Sequence, residues 1–388
     1  MRARSTPRSL EGREAGLKNP PPVKNETDPS VNHGPASPVE SLPLRFINPQ
    51  LPVFPAARPF FRFHRTKGSP NHPEDVDWGS HHEWQWRGQQ CHWRHLGDPN
   101  HPPLVLIHGF ATGCGHWRRN AAALAAAGWG VYGLDLIGFG ASSQPGNLRL
   151  DNRLWARQVH EFIQEVVQKP AVLVGHSLGG LVALTCSVFF PRSVRAVIAS
   201  PLPDPTLLMV SPRQASEPAR RPPWKRTSKR TLIELLCRLL PLELLVPLLA
   251  RSPLLEWAIQ TAYLEPVLQD APLHRVIRHP AKRTGAVQSL RAMSMAMALR
   301  PMKATAPNLL GRLEHPMLLI WGEQDILVPL QVGWQCQRFR KDLALTVITD
   351  SGHCPHDERP DVFNAVVIAW LERMGTYREG VLGSLTNP

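Results

Sequence analysis

Runs of apolar residues alternate with helical patterns along most of the chain, and this alternation predicts an α/β fold. Residues 104–107 and 171–174 are continuously apolar, which is typical of strands buried on both faces of a sheet. Residues 154–167 instead repeat their apolar positions with the period of a helix. This order predicts a mostly parallel, doubly wound sheet. The predicted strands are residues 84–88, 90–94, 104–107, 130–136, 172–174, 194–199, 317–321 and 343–348, and the predicted helices are residues 117–127, 154–167, 178–190 and 362–374.

The alternation stops at residues 201–314, between the sixth and the seventh predicted strand. This segment is rich in leucine, helical in pattern and punctuated by proline, so we interpret it as a helical cap inserted after the sixth strand. A basic cluster between Arg213 and Arg230 precedes a leucine-rich run at residues 232–249. Such a cap could cover a site for a hydrophobic ligand and make transient contact with an anionic membrane surface.

Composition predicts four segments along the chain. Residues 1–75 are rich in proline, asparagine, serine and charge, which predicts a disordered or loosely packed N-terminal segment. Within it, residues 44–63 are more apolar, and we expect them to lie along the folded domain or a membrane surface. The predicted core is residues 76–200 and 315–376, the cap is residues 201–314, and residues 377–388 form a flexible tail.

Charge and cysteine usage narrow the function classes. The formal net charge of +13 is strongly basic, but the chain has neither zinc-finger spacing nor an RNA-binding motif, so we predict no nucleic-acid partner. The six cysteines are scattered and include no C-x-x-C pair, which predicts free thiols and no metal site. Free thiols and the lack of a secretory signal indicate a cytoplasmic, membrane-peripheral protein, with a plastid location left open.

Ser177 lies in the sequence Gly175-His176-Ser177-Leu178-Gly179, directly after a predicted strand. This G-x-S-x-G pattern is typical of a sharp strand-to-helix turn that exposes a nucleophilic serine. The glycines remove side chains that would collide in such a turn. Ser177 is therefore the candidate nucleophile, although the same turn could hold a serine that takes no part in chemistry.

A serine hydroxyl needs a base within hydrogen-bonding reach, and the base needs a carboxylate to orient it. Asp325 follows the strand at residues 317–321, and His353 follows the strand at residues 343–348. Parallel strands bring all three residues to the carboxyl edge of the sheet. Asp204, which follows the sixth predicted strand, is the alternative acid.

Two backbone N–H groups near the serine would stabilise an oxyanion. Leu178 follows the nucleophile and begins the next helix, so its N–H is one candidate. Phe110, in the loop after the strand at residues 104–107, is the other. These roles need neither a metal nor an organic cofactor. His108 and His176 flank the site and are interpreted as structural.

Taken together, these motifs resemble the α/β-hydrolase superfamily over residues 83–374. The resemblance implies an α/β-hydrolase fold and a serine hydrolase, because superfamily members that hydrolyse epoxides or haloalkanes carry an aspartate where Ser177 stands. The matching segments are residues 108–110, 135–142, 175–180, 321–325 and 352–353.

Residues 84–88, 201–205, 305–307 and 352–358 further resemble the pheophytinase and chlorophyll-dephytylase-like hydrolases of cyanobacteria and plastids. That resemblance implies a phytyl or other lipid-like ester as the small-molecule substrate. The sequence leaves open a thioesterase, a C–C bond hydrolase with the same triad, and a non-catalytic ligand-binding protein of this fold.

Overall fold

A central sheet organises the part of the chain that the computed structural model describes, which is residues 44–46, 77–209 and 253–385. Within these ranges the sheet has nine strands, in the spatial order β1-β9-β8-β7-β6-β4-β5-β3-β2. The strands are β1 (Leu44–Phe46), β2 (Ser80–Trp86), β3 (Gln89–Leu96), β4 (Pro103–Ile107), β5 (Gly130–Leu134), β6 (Ala171–His176), β7 (Val194–Ser200), β8 (Met317–Gly322) and β9 (Ala344–Ile348).

Six neighbouring strands pair in parallel, in the order β9, β8, β7, β6, β4 and β5. Antiparallel strands lie at both edges of the sheet. The hairpin of β2 and β3 pairs antiparallel with β5, and β1 pairs antiparallel with β9. The predicted mostly parallel, doubly wound sheet is therefore confirmed. Strand β1 is an addition, since the sequence pattern assigned no strand to residues 44–46.

Helices pack on both faces of the sheet. Strand β4 sends Val105 and Ile107 to one face and Leu104 and Leu106 to the other, and all four side chains are fully buried. Burying each such side chain contributes about 1.5–3 kcal/mol. The helices are α1 (Ala121–Ala126), α2 (Asn152–Phe162, continued by a π-helical turn at Ile163–Val167), α3 (Leu178–Phe189), α4 (Thr206–Met209), α5 (Pro253–Gln260), α6 (Ala271–Ala281), α7 (Ala286–Ala298), α8 (Ala306–Leu310), α9 (Leu330–Phe339), α10 (Pro355–Glu358) and α11 (Pro360–Leu385).

The predicted helix at residues 117–127 is interrupted. A 3₁₀ turn at Cys114–Trp117 is followed by the short helix α1. Between them, the Asn120 side chain donates to the carbonyl oxygen of His356 and to the side chain of Asn364, both distant in the chain. These tertiary contacts fix a residue that the alanine-rich sequence alone assigned to a continuous helix.

The described part of the segment between β7 and β8 contains the helices α4 to α8, joined by turns and irregular stretches. Strand β7 is the sixth strand that the sequence predicted and the seventh in the structure, because β1 precedes it. The basic cluster at residues 213–230 and the leucine-rich run at residues 232–249 lie outside the described residues.

The five cysteines in the described ranges are free, as the sequence predicted, and the structure shows that all five are buried; Cys237 lies outside those ranges. No helix in the described part of the chain combines the length and the apolar character needed to cross a membrane.

Candidate active site

Ser177 occupies the turn between strand β6 and helix α3. Its backbone has φ +50° and ψ −117°, a conformation that costs a non-glycine residue on the order of 1–3 kcal/mol. A Cβ atom at Gly175 would lie 2.2 Å from the carbonyl oxygen of Gly179, and one at Gly179 would lie 2.2 Å from that of Ile107. Only glycine permits backbone segments to approach this closely, so these two residues make the strained turn sterically feasible.

The side chains of Ser177, His353 and Asp325 form a continuous hydrogen-bonded chain. His353 Nε2 lies 3.0 Å from Ser177 Oγ, and His353 Nδ1 lies 2.9 Å from Asp325 Oδ2. Because a carboxylate only accepts, Nδ1 carries the proton and Nε2 presents its lone pair to the serine hydroxyl. The other oxygen of Asp325 accepts the backbone N–H groups of Leu327 and Val328. This arrangement is chemically capable of activating a serine by general-base catalysis.

The loops that carry the acid and the histidine are bound directly to each other. They follow the neighbouring strands β8 and β9. The N–H of Gln324 donates to the carbonyl oxygen of Ser351, and the N–H of Ser351 donates to Gln324 Oε1. A Cβ atom at Gly322 would come within 1.9 Å of the carbonyl oxygen of Gly352, so the two loops pack backbone against backbone. This packing fixes the separation between the carboxylate and the imidazole.

The two N–H groups predicted to bind an oxyanion lie at the ends of neighbouring strands. Phe110 lies in the loop after β4, and Leu178 is the first residue of α3. Neither N–H donates a hydrogen bond to another group within the described part of the chain. The loop that carries Phe110 packs closely against the turn at Ser177, which we call the serine elbow. A Cβ atom at Gly109 in this loop would lie 2.5 Å from His176 Nδ1. Both donors are therefore available to a ligand oxygen.

His108 and His176 are buried, and their hydrogen bonds define structural roles. His108 Nε2 accepts the N–H of Leu136, and its Nδ1 donates to the carbonyl oxygen of Gly109. His176 Nε2 donates to the carbonyl oxygen of His353 at 3.1 Å. Burial lowers the pKa of both rings, which favours their neutral forms. His176 thus orients the backbone of His353 from beneath.

Asp204, the alternative acid, has other partners. Its Oδ1 accepts from Arg300 Nη2 at 2.8 Å and from the backbone and hydroxyl of Thr206, and its Oδ2 accepts the N–H of Ala306. Both carboxylate oxygens are thereby engaged. Asp204 joins the start of the segment between β7 and β8 to its end, whereas Asp325 is the carboxylate in contact with His353.

Residues of the inserted segment also hold the histidine loop, which sequence reasoning did not foresee. The N–H of His353 donates to the carbonyl oxygen of Ala262 at 2.9 Å. Glu358 accepts the N–H of Gly352 at 2.8 Å with one oxygen and the N–H of Leu264 at 2.7 Å with the other. Burial raises the pKa of Glu358. The sequence contained Glu358 within the motif at residues 352–358, but no local signal gave its partner.

A second network lies beside this loop. The guanidinium of Arg118 donates to both oxygens of Asp270 and to both oxygens of Asp357. Tyr263 also donates to Asp357, at 3.0 Å. Asp270 and Tyr263 belong to the inserted segment, so a buried ionic cluster joins that segment to helix α10 and the turn that precedes α1.

A cavity of about 710 Å³ lies away from the triad. It lies between the loop at residues 113–115 and helix α6, and it is lined by His92, Cys114, Asp135 and basic side chains of α6. Asp135 accepts from His92 Nδ1 and from the N–H groups of Cys114 and Ala141. This carboxylate therefore stabilises the loops on either side of it.

The family model described as "Alpha/beta hydrolase family" matches residues 104–366, more than half of the 388 residues. A 2-hydroxy-6-oxononadienedioate/2-hydroxy-6-oxononatrienedioate hydrolase of Pseudomonas sp is 27% identical over 273 residues, which are 70% of this chain and 88% of that protein. A human (lyso)-N-acylphosphatidylethanolamine lipase is 29% identical over 276 residues, 68% of this chain and 78% of that protein.

Solved structures share the fold. The crystal structure of a membrane phospholipase A, described as a bacterial virulence factor, superposes with a TM-score of 0.56 at 24% sequence identity. The match covers 76% of this chain and 86% of that one. At this identity the similarity concerns the arrangement of strands and helices.

Exchanging each candidate acid for its amide should separate the roles of the two. In Asp325→Asn the single amide oxygen is held by the N–H groups of Leu327 and Val328, so an NH2 donor faces His353 Nδ1 and favours the wrong tautomer. The rate at which Ser177 reacts with a fluorophosphonate should therefore fall about 10²–10⁴-fold. Asp204→Asn should leave that rate within about tenfold but cost about 3–5 kcal/mol of unfolding free energy, because Arg300 loses its buried partner. The reverse pattern would assign the orienting role to Asp204.

Glu358→Gln should reduce stability by about 1–3 kcal/mol, because an amide cannot accept from two N–H groups with both of its terminal atoms. The raised pKa of Glu358 means that its stabilising contribution is fully present below pH about 4.5 and declines as the pH rises through the folded-state pKa. The deficit of the variant should therefore shrink between acidic and neutral pH in denaturant titrations. Glu323→Gln, at an exposed position, is the control; a deficit that grows with pH would contradict this account.

Proposed function

Because this chain belongs to the alpha/beta hydrolase family, we propose that it is a serine hydrolase that cleaves a carboxylic ester through an acyl-enzyme. The observation that carries the proposal is the hydrogen-bonded chain from Ser177 through His353 to Asp325. An isolated serine in a tight turn requires no such chain. The proposal therefore takes the strained elbow as catalytic architecture rather than as a structural turn alone.

The proposed chemistry begins with attack of Ser177 Oγ on the ester carbonyl carbon. His353 Nε2 accepts the hydroxyl proton as the new C–O bond forms, and the resulting imidazolium is stabilised by Asp325. The N–H groups of Phe110 and Leu178 then donate to the oxyanion of the tetrahedral intermediate. Where such donors have been removed in other enzymes, the rate fell by about 10²–10³.

Collapse of the intermediate breaks the ester C–O bond, and His353 returns its proton to the leaving alcohol. Water attacks the acyl-enzyme in a second half-reaction, with His353 again acting as the base and Ser177 as the leaving group. Each half-reaction restores the starting protonation of the histidine. The residues named supply every proton transfer in this cycle.

A hydrophobic substrate is supported by the apolar side chains that follow the carboxyl ends of the strands. These side chains follow strands β4, β7 and β8, on loops or, after β7, on the short helix α4, and each is at least 50% exposed. Exposed apolar groups on the loops that carry a site are typical of surfaces that receive apolar ligands. They are Phe110 after β4, Leu208 and Met209 after β7, and Ile326 and Leu327 after β8.

Within this class we propose a lipid-like ester, and a phytyl ester as its most specific form. The human relative is named a lipase, which supports a lipid-like substrate. The phytyl ester rests on the motif resemblance at residues 84–88, 201–205, 305–307 and 352–358. We further propose that residues 201–314 act as the cap, that residues 76–200 and 315–376 form the core, and that the basic and leucine-rich part of the cap contacts a membrane surface transiently.

The second candidate function is hydrolysis of a C–C bond with the same triad. It is favoured by the Pseudomonas relative, whose name gives a hydrolase of 2-hydroxy-6-oxo dienedioates. A thioesterase is a further alternative, since the same serine and oxyanion donors serve a thioester carbonyl. Tight binding of an apolar ligand without reaction at Ser177 would instead indicate a non-catalytic protein of this fold.

Ser177→Ala tests the nucleophile. Wild-type protein should be labelled by a fluorescent fluorophosphonate and should hydrolyse a p-nitrophenyl ester, and the variant should lose labelling and fall on the order of 10⁶-fold in kcat. Ser187→Ala is the matched control, because Ser187 is buried on the same helix and hydrogen-bonds His315. Folded wild-type protein that resists labelling, or a variant that retains turnover, would refute the serine mechanism.

A substrate panel tests the class of substrate. Across p-nitrophenyl esters of increasing acyl length, kcat/KM should rise about fourfold per methylene until the pocket is filled, since each buried methylene contributes about 0.8 kcal/mol. Phytyl-ester pigments, acyl thioesters and a 2-hydroxy-6-oxo dienoate should be assayed in parallel. Selective turnover of the dienoate would favour the C–C hydrolase, and selective turnover of thioesters would favour the thioesterase.

A further inference from the structure

Three buried imidazole rings meet behind the serine elbow. His116 lies in the 3₁₀ turn Cys114–Trp117, His176 ends strand β6, and His356 lies in helix α10. Their exposed fractions are 2%, 4% and 0%. One nitrogen atom of each ring lies within 4.8 Å of one nitrogen atom of each of the other two rings. The residues are far apart in sequence, so only the tertiary fold brings them together.

Hydrogen bonds define the tautomers of two of these rings. Tyr263 uses its hydroxyl proton to donate to Asp357, so the 2.8 Å contact between His116 Nε2 and Tyr263 Oη requires Nε2 of His116 to be the donor. His176 Nε2 donates to the carbonyl oxygen of His353. In a neutral imidazole the other nitrogen is then a free lone pair. Both rings thus present Nδ1 as the only nitrogen that can accept a bond.

These lone pairs have no hydrogen-bond partner within the described residues. His116 Nδ1 and His176 Nδ1 are buried without a hydrogen-bond partner, and so are both ring nitrogens of His356. A buried polar atom left without a partner usually costs about 1–3 kcal/mol. Burial lowers the pKa of all three rings, to about 4 for His116, so they are neutral, which is the form that binds metals.

We propose that His116 Nδ1, His176 Nδ1 and one nitrogen of His356 form a binding site for a zinc ion. Neutral imidazole is a ligand of choice for Zn²⁺. Histidine ligands of metals usually donate their other N–H to a carbonyl, a carboxylate or a hydrogen-bonded relay, as His176 does to His353 and His116 does through Tyr263 to Asp357. The sequence predicted no metal site because its cysteines are scattered and include no C-x-x-C pair.

Binding requires a modest contraction of the cluster. Zn–N bonds of about 2.0–2.1 Å place tetrahedral ligand atoms roughly 3.4 Å apart, so rings whose nitrogens lie up to 4.8 Å apart must move inward. The ion would cross-link the elbow, the turn before α1 and helix α10. Its role is structural, because His353 Nε2 is directed to Ser177 and takes no part in the cluster. The site does not depend on the proposed ester hydrolysis.

The test is a zinc titration of the full-length protein after removal of metal with a chelator. In competition with a chromogenic zinc indicator, wild type should bind one equivalent of Zn²⁺, and the bound ion should raise Tm. His356→Gln should lose this equivalent. The chain has 17 histidines, so His160→Gln is the control; His160 hydrogen-bonds Ser193 outside the cluster and should leave the stoichiometry at one.

Tyr263→Phe tests the same site without removing a ligand. Loss of the group that holds the His116 tautomer should weaken zinc binding about 10–100-fold while the stoichiometry stays at one. This variant also decides the matter if His356→Gln does not fold. Wild type that binds no equivalent of zinc in the titration, or zinc binding that neither substitution alters, would overturn the proposal.

Discussion

The main chain of His353 is held from two sides, and the geometry of the candidate site depends on this double attachment. Its N–H donates to Ala262 at 2.9 Å, and its carbonyl oxygen accepts from His176 at 3.1 Å. With the peptide fixed, the ring reaches Ser177 with one nitrogen and Asp325 with the other. Displacing a catalytic group by about 1 Å can lower a rate 10²-fold, so an anchored backbone matters as much as the side chain.

The first of these attachments couples the inserted segment to the catalytic loop. Ala262 and Leu264 contact the loop through His353 and Glu358, and Asp270 shares Arg118 with Asp357. A movement of this part of the segment would therefore displace the histidine. In enzymes whose lids open and close, such coupling allows substrate entry and assembly of the site to occur together. Asp204 and Arg300 fix the base of the segment, so motion there is restrained.

Burial also determines the charge of the histidine rings around the site. His108, His116, His176 and His356 all have pKa values lowered by burial, so these closely packed rings remain neutral and do not repel one another. A neutral ring donates on one side and accepts on the other, which suits it to bridging backbone groups. His108 does so between Gly109 and Leu136. At the other three rings the accepting nitrogen has no hydrogen-bond partner within the described residues.

Local patterns in the sequence were sufficient to predict the alternation of strands and helices, the elbow at Ser177 and the order of the candidate acid and base. They succeed because burial on both faces, helical period and tight turns are properties of neighbouring residues. The same patterns failed at residues 117–127, where Asn120 is held by residues more than 230 positions away. They also gave no strand at residues 44–46, which are paired with β9.

Only the tertiary structure decided which candidate acid contacts His353. Asp204 and Asp325 both follow strands, and the motif at residues 321–325 favoured Asp325 without showing which carboxylate reaches the histidine. The adjacency of β8 and β9 brings Asp325 to the histidine, while Arg300 and Ala306 occupy Asp204. The convergence of His116, His176 and His356 was likewise invisible in the sequence. Contacts of this kind join residues that are distant along the chain, and they are set by the packing of whole elements rather than by any local pattern.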